Sequence, residues 1–283
     1  MIPLRVCASA AMLVILIASS AFAQERPYFV TYDHYLEEPG NLEVAVATTT
    51  GVPKRNQSAY TAPWLEIEYG LTGWWTTELY LEGVTTTHDG SGFAGWRWEN
   101  RFRVLETEHR VNPVVYVEYE RVSEASRIQK EIVGDGSLAF EPIASLRKET
   151  SNELEAKLIL SSAVRSWNVA ENFIIEKNFS EDEGVEFGYS VGVSRSLGDL
   201  ARASDCRLCA ENFVAGVELY GGLGTTQAFG VDETRHYLAP VFAWHATDRS
   251  TLKASVGFGL TEASDHVLFR VGWAYEFTPR GRR

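Results

Sequence analysis

Between residues 266 and 277 large apolar side chains recur at every second position. Val267, Phe269, Val271, Trp273, Tyr275 and Phe277 occupy one parity, and His266, Arg270, Gly272, Ala274 and Glu276 the other. A helix would scatter these side chains around its axis, whereas an extended strand sends each set to its own face. The same split separates Val185, Phe187, Tyr189, Val191 and Val193 from Glu186, Gly188, Ser190, Gly192 and Ser194. It returns where Leu252, Ala254, Val256, Phe258 and Leu260 alternate with Lys253, Ser255, Gly257 and Gly259. Segments that alternate so strictly fold as sheet, with one apolar face and one small or polar face.

Weaker alternation predicts further strands, giving twelve near 42–49, 62–70, 74–84, 93–105, 113–122, 151–161, 167–178, 184–196, 211–221, 234–245, 250–260 and 266–277. The segment 167–178 obeys the rule least well, because Glu171 and Lys177 fall on its otherwise apolar parity. Most segments reach the roughly 9–11 residues that a tilted strand needs to cross a bilayer. An even number suits a single-chain bacterial barrel. With both termini on the periplasmic side, Gly70–Gly73 and Ala246–Arg249 become tight periplasmic turns. Thr50–Thr61, Thr85–Gly92, Ser123–Thr150 and Gly222–Glu233 become long external connections. Leu197–Ala210 is the one long connection that breaks this alternation.

The N-terminus fits that destination. Arg5 precedes an apolar run from Cys7 to Ala23 that ends in the small-x-small site Ala21-Phe22-Ala23. This is the pattern of a secretory signal peptide. The expectation is a leader over residues 1–23 and one mature domain over 24–283. Cys7 lies inside the leader, so no lipidation cysteine stands at the cleavage site. A net charge of −12 argues against a nucleic-acid partner, since such a surface cannot neutralise a run of phosphates. With 12% aromatic residues and only 9 prolines, the chain is not of disordered type.

A soluble β-sandwich also alternates faces, but its strands run to about 5–6 residues and its polar face meets water. Here the segments are longer, and the polar parity is often Gly and Ser. Trp64, Tyr69, Trp74, Trp75, Trp244, Trp273 and Tyr275 collect near segment ends, where interfacial aromatic girdles lie. The fold class expected is therefore all-β: a transmembrane, antiparallel, up-and-down β-barrel of about 12 strands.

Arg26-Pro27-Tyr28-Phe29-Val30-Thr31 leads to Glu38-Pro39-Gly40-Asn41-Leu42-Glu43 and then to Pro63-Trp64-Leu65-Glu66-Ile67-Glu68-Tyr69-Gly70-Leu71-Thr72. This opening resembles the outer-membrane proteins grouped with the phenol-degradation meta-pathway channels, loosely called transporters. The resemblance covers about the first 60 mature residues and implies an outer-membrane barrel of channel-like role. It implies no catalytic residues.

If the apolar parity faces lipid, the other lines a lumen. Candidate pore-lining residues are Arg97, Glu99, Arg101 and Arg103, flanked by Glu78 and Glu82 on the preceding strand and Glu118 and Glu120 on the following one. Arginines set between glutamates on adjacent strands can pair across the sheet. Glu43, Glu66, Glu68, Glu186, Glu218 and Glu276 add inward carboxylates against Lys253 and Arg270. Such a lumen either selects small ions or polar solutes, cations slightly favoured, or is knitted shut by its own ion pairs. Twelve strands lie between filled eight-stranded and open sixteen-stranded barrels.

Other motifs carry little chemistry. Gly188-Tyr189-Ser190-Val191-Gly192 has a hydrolase spacing, but that motif needs a strand-to-helix turn and the alternation runs straight through it. None of the six histidines has a recognisable partner motif. Cys206 and Cys209 lack the further ligands of a zinc or haem site and are expected to form a local disulfide after export. Gly221-Gly222-Leu223-Gly224 reads as a flexible external loop. No catalytic set, metal or cofactor is expected. The reading is a non-enzymatic outer-membrane channel for small solutes or ions, its partners being outer-membrane lipid and the solute. The alternatives are a closed barrel that is structural or binds a partner through 123–150, and an outer-membrane lipid hydrolase.

Overall fold

The structure, a computed structural model, describes residues 27–54, 58–86, 90–123, 150–164, 166–180, 184–200, 208, 210–231 and 233–278. Twelve strands follow one another: β1 Leu42–Val52, β2 Tyr60–Thr72, β3 Trp75–Thr86, β4 Gly90–Arg103, β5 Asn112–Ser123, β6 Thr150–Val164, β7 Trp167–Asn178, β8 Glu186–Ser196, β9 Phe213–Thr225, β10 His236–Thr247, β11 Ser250–Gly259 and β12 Val267–Phe277. Each pairs antiparallel with its sequence neighbours, and β1 closes on β12 from Leu42↔Phe277 to Val52↔Val267. The result is a closed all-β barrel without a free sheet edge.

Closure fixes which parity points where. Phe269, Val271 and Trp273 are exposed on the outside, while Leu268, Arg270, Gly272 and Ala274 between them are buried inside. Glu171 and Lys177, the residues that weakened the prediction for β7, lie on its outer parity with Phe173 and Ile175. At the end carrying both termini the outer face holds stacked aromatics. Trp75 lies on Phe102 with ring centroids 5.8 Å apart, and Phe213 on Phe242 at 5.1 Å.

Two sequence expectations need correction. Trp64 does not join the outer girdle: it shares the inner parity of Ala62 and Glu66 and lines the interior beside Glu82. The Gly221–Gly224 stretch is not a loop but the far end of β9, where a bulge shifts the register against β8. Residues 1–26, 124–149, Cys206 and Cys209 lie outside the described residues. The expected leader, the long external segment and the disulfide therefore do too.

The interior is filled from the N-terminus. The segment Pro27–Asn41 precedes β1 and runs inside the barrel rather than away from it. Gly40, at φ 87°, makes the turn into β1, and its N–H donates to the Gly70 carbonyl at 2.7 Å. A side chain at Gly70 would collide with the Glu38 carbonyl. Two apolar layers result. Near the termini, Tyr32 and Leu36 of the segment pack with Val114, Tyr116 and Ile159. Towards the other end, Val30 abuts Tyr60, Ala62, Ile174, Tyr220, Tyr237, Ala239 and Leu268.

Candidate functional site in the barrel interior

The alternation that makes β3, β4 and β5 strands also aims their charges inward. Arg97, Glu99, Arg101 and Arg103, with Glu78, Glu82, Glu118 and Glu120, all take the inner parity. The register, which the sequence left open, sets Arg97 opposite Tyr80 and Glu120, and Glu99 opposite Glu78 and Glu118. Ion pairs therefore form on diagonals. Arg97 donates to Glu82 at 2.7 Å and to Glu118 at 2.9 Å. Arg101 meets Glu68, Glu78 and Glu99. Tyr80 donates to Glu78, and Tyr32 of the N-terminal segment to Glu99 at 2.8 Å. All of these paired residues but Arg97, which is partly exposed, are almost fully buried, so each charge depends on its partners for the solvation that water no longer gives.

β6 and β7 extend the charged wall with residues the sequence reading passed over. Glu153, Glu155 and Lys157 share the inner parity of β6, and Glu176 that of β7. Lys157 pairs with Glu155 at 2.7 Å and lies 4.0 Å from the centroid of the Tyr116 ring. The signal was available, since Ser151, Glu153, Glu155, Lys157 and Ile159 fall on one parity.

The N-terminal segment crosses this interior and is held mainly through its backbone. The Glu218 carboxylate accepts the N–H groups of Phe29, Val30 and Thr31 at 3.2, 2.9 and 2.7 Å. Three backbone donors around one carboxylate make a compact charge-assisted nest. Asn172 holds Tyr32 from both sides, accepting from its N–H at 2.7 Å and donating to its carbonyl at 2.8 Å. Arg101 and Arg103 donate to the carbonyls of Tyr35 and His34. Gly192 leaves room for the segment, because a Cβ there would lie 2.8 Å from the Tyr28 ring. Ser190, in the same motif, donates to Asn172. The hydrolase-like spacing thus sits on a straight strand and serves packing.

His34 and Ser161 form the closest histidine–serine contact among the described residues. The Ser161 hydroxyl accepts the His34 N–H at 2.9 Å and lies 2.5 Å from Nδ1. On the other side of the ring, Nε2 lies 3.7 Å from exposed Glu108. Burial first, and Arg103 second, lower the His34 pKa to about 4. The Ser161 hydroxyl is buried and spent on the segment, an arrangement that suits a latch rather than a nucleophile. Burial raises Glu37, against a smaller lowering by its hydrogen bond with Asn41.

Between the segment and the wall lies a cavity bordered by Phe29, Tyr32, Trp64 and Tyr80 and by charges of both signs. Its acids include Glu66, Glu82 and Glu120; its cations are Arg97, Lys157, Lys253 and Arg270. Among the described residues three clusters of acids each bring their carboxylate oxygens within 4.8 Å of one another: Glu37, Glu43 and Glu276; Glu43, Glu66 and Glu68; and Glu118, Glu120 and Glu155. Arg97 and Lys157 already offset part of the charge of that third group.

No family model and no curated protein matches the chain. Solved structures do. The COG4313 outer membrane channel from Pseudomonas putida F1 superposes with a TM-score of 0.55 at 10% identity, over 86% of this chain and 97% of that one. The KdgM porin does so with a TM-score of 0.52 at 10% identity, over 84% and 99%. KdgM in complex with disordered oligogalacturonate gives 0.50 at 8% identity, over 84% and 99%. At such identities the likeness establishes the fold: this barrel is built like those of outer-membrane channels and porins.

Proposed function

We propose that the protein is a non-enzymatic outer-membrane channel for passive passage of small solutes or ions, cations favoured. In this reading residues 1–23 are the export signal and 24–283 form one barrel domain in the outer membrane of a Gram-negative-type bacterium. The N-terminal segment is an internal constriction of the pore. The observation that carries the reading is the pairing of an apolar outer face with a charged cavity inside a closed barrel of channel-like fold. A purely structural barrel has no need of a cavity that exposes unlike charges to one space. Inward carboxylates outnumber inward cations, which supports the preference for cations. The opening motif, with its resemblance to the phenol-degradation meta-pathway channels, supports placement near that group.

A second reading, a barrel closed in its resting state, is favoured by the apolar layer in which Val30 meets Tyr60, Tyr220, Tyr237 and Leu268. Planar-bilayer conductance of the refolded mature protein under a salt gradient separates the two. Discrete steps with a cation-preferring reversal potential support the channel. Silence from a barrel that still shows heat-modifiable migration on a gel contradicts it.

A further inference from the structure

The ion pairs of the interior do not use up all of its charges. Arg97 is shared by Glu82 and Glu118, Lys157 is taken by Glu155, and Arg101 by Glu68, Glu78 and Glu99. Glu120 has its carboxylate within 4.8 Å of those of Glu118 and Glu155, hydrogen-bonds with Glu118 and stands opposite Arg97, so Glu82, Glu118, Glu120 and Glu155 share two cations, Arg97 and Lys157, and this side keeps an excess of carboxylate. Arg270 is the opposite case. Its guanidinium, 5% exposed, donates to the hydroxyls of Tyr220 at 2.7 Å and Thr49 at 3.3 Å, and no carboxylate of the described residues pairs with it.

Both residues border the same cavity, from opposite sides. Glu120 stands on β5 and Arg270 on β12, five strands apart in a ring of twelve. An excess of carboxylate on one side of the cavity and a buried guanidinium on the other, held by hydroxyls rather than by a carboxylate, form a transverse field. A monovalent cation satisfies only one end of it, and an anion only the other. Aromatic surface between them, from Phe29 and Trp64, accepts an apolar spacer.

We propose that this cavity is a binding site for small zwitterions of the ω-amino acid type. The ammonium lies at Glu120, the carboxylate forms a forked pair with Arg270, and the methylene spacer rests against Phe29 and Trp64. A guanidinium presents two parallel N–H donors to a carboxylate, which an ammonium cannot match. The proposal deepens the channel reading by naming its solute class, and it rests on that reading for its biological role but not for its test.

The test is calorimetric titration of the refolded full-length mature protein in detergent. The probes are glycine, β-alanine and their longer ω-amino homologues, each against the alkylamine and the alkanoate of equal length. The site predicts one homologue that binds about tenfold more tightly than either singly charged analogue, the size expected of one added charge-assisted interaction. Arg270→Gln should weaken the zwitterion and the alkanoate but spare the alkylamine, and Arg270→Lys should restore only part of the loss. Glu120→Gln, which leaves the Arg97 pairs with Glu82 and Glu118 and the Lys157 pair with Glu155 in place, should weaken the zwitterion and the alkylamine instead, so the test survives if the arginine variant misfolds. Equal binding of amine and zwitterion, or zwitterion affinity unmoved by Glu120→Gln, overturns the proposal. Binding as predicted with no conductance leaves the site standing and removes the channel. Conductance without zwitterion binding does the reverse.

Discussion

The two halves of the barrel wall solve the same problem in opposite ways. From β2 to β7 the inner parity carries Glu68, Glu78, Glu82, Glu99, Arg101, Glu118 and Glu155, long side chains tied into ion pairs, with Glu153 and Glu176 buried beside them. From β8 to β12 it is mostly small: Gly188, Ser190, Gly192, Ser194, Gly216, Ala239, Ala243, Ser255, Gly272 and Ala274. Long charged residues fill their side of the lumen and hold each other in place. Small residues leave a gap, and the N-terminal segment enters it, with Tyr28 over Gly192 and Phe29 beside Gly272. Glu218 is an informative exception, a buried carboxylate on the thin wall that accepts the backbone donors of the segment. The charged wall is its own filling, and the thin wall borrows one.

The sharpest way to break this comparison is to remove the hub of the charged wall. Arg101→Ala leaves Glu68, Glu78 and Glu99 buried without their shared cation, which should destabilise the barrel by about 3–5 kcal/mol. Urea unfolding of the lipid-refolded protein measures it. A loss below about 1 kcal/mol, the scale of an exposed pair, would mean that water reaches these charges. On the thin wall, Glu218→Gln keeps one acceptor oxygen and removes the charge. It should cost about 1.5 kcal/mol and raise hydrogen exchange selectively at Phe29, Val30 and Thr31.

His34 gives a gentler handle on the same segment. Its pKa is lowered from the ordinary 6.5 to about 4, so the unfolded or released state binds a proton more readily than the seated one. The seating it contributes is complete above pH 6.5 and is lost as pH falls towards 4. Exchange at residues 28–34 should therefore rise over that window, and His34→Gln should flatten the response. The smallest effect is expected outside the barrel. Glu171 faces outward between Leu160 and Val191, and in a bilayer Glu171→Leu should stabilise by about 1 kcal/mol. No gain in lipid would argue against membrane insertion at that depth.

How much of this was legible follows the same division. The parity of β8, β11 and β12 is strict, so strand, face and barrel could be read from it directly. The inward arginines and glutamates of β3 to β5 were readable for the same reason, but their partners were not. Pairing on diagonals depends on register, and register depends on a closure between β1 and β12 that local sequence does not encode. Trp64 misled because an aromatic near a predicted strand end suits either face. The N-terminal segment was illegible for a deeper reason. It has no period, and the wall grips it through backbone N–H and C=O groups that any sequence would supply. Its signatures lie elsewhere, in the glycine at 192 and the glutamate at 218.

The central claim is that a conducting barrel is narrowed by its own N-terminal segment. The most direct measurement compares single-channel conductance of the mature protein with that of a variant lacking residues 28–38, both refolded into planar bilayers and both checked for heat-modifiable migration. The account predicts small, cation-preferring steps from the full chain and steps several times larger, with weaker selectivity, from the variant. Equal conductance from the two, or silence from both while folded, would contradict it.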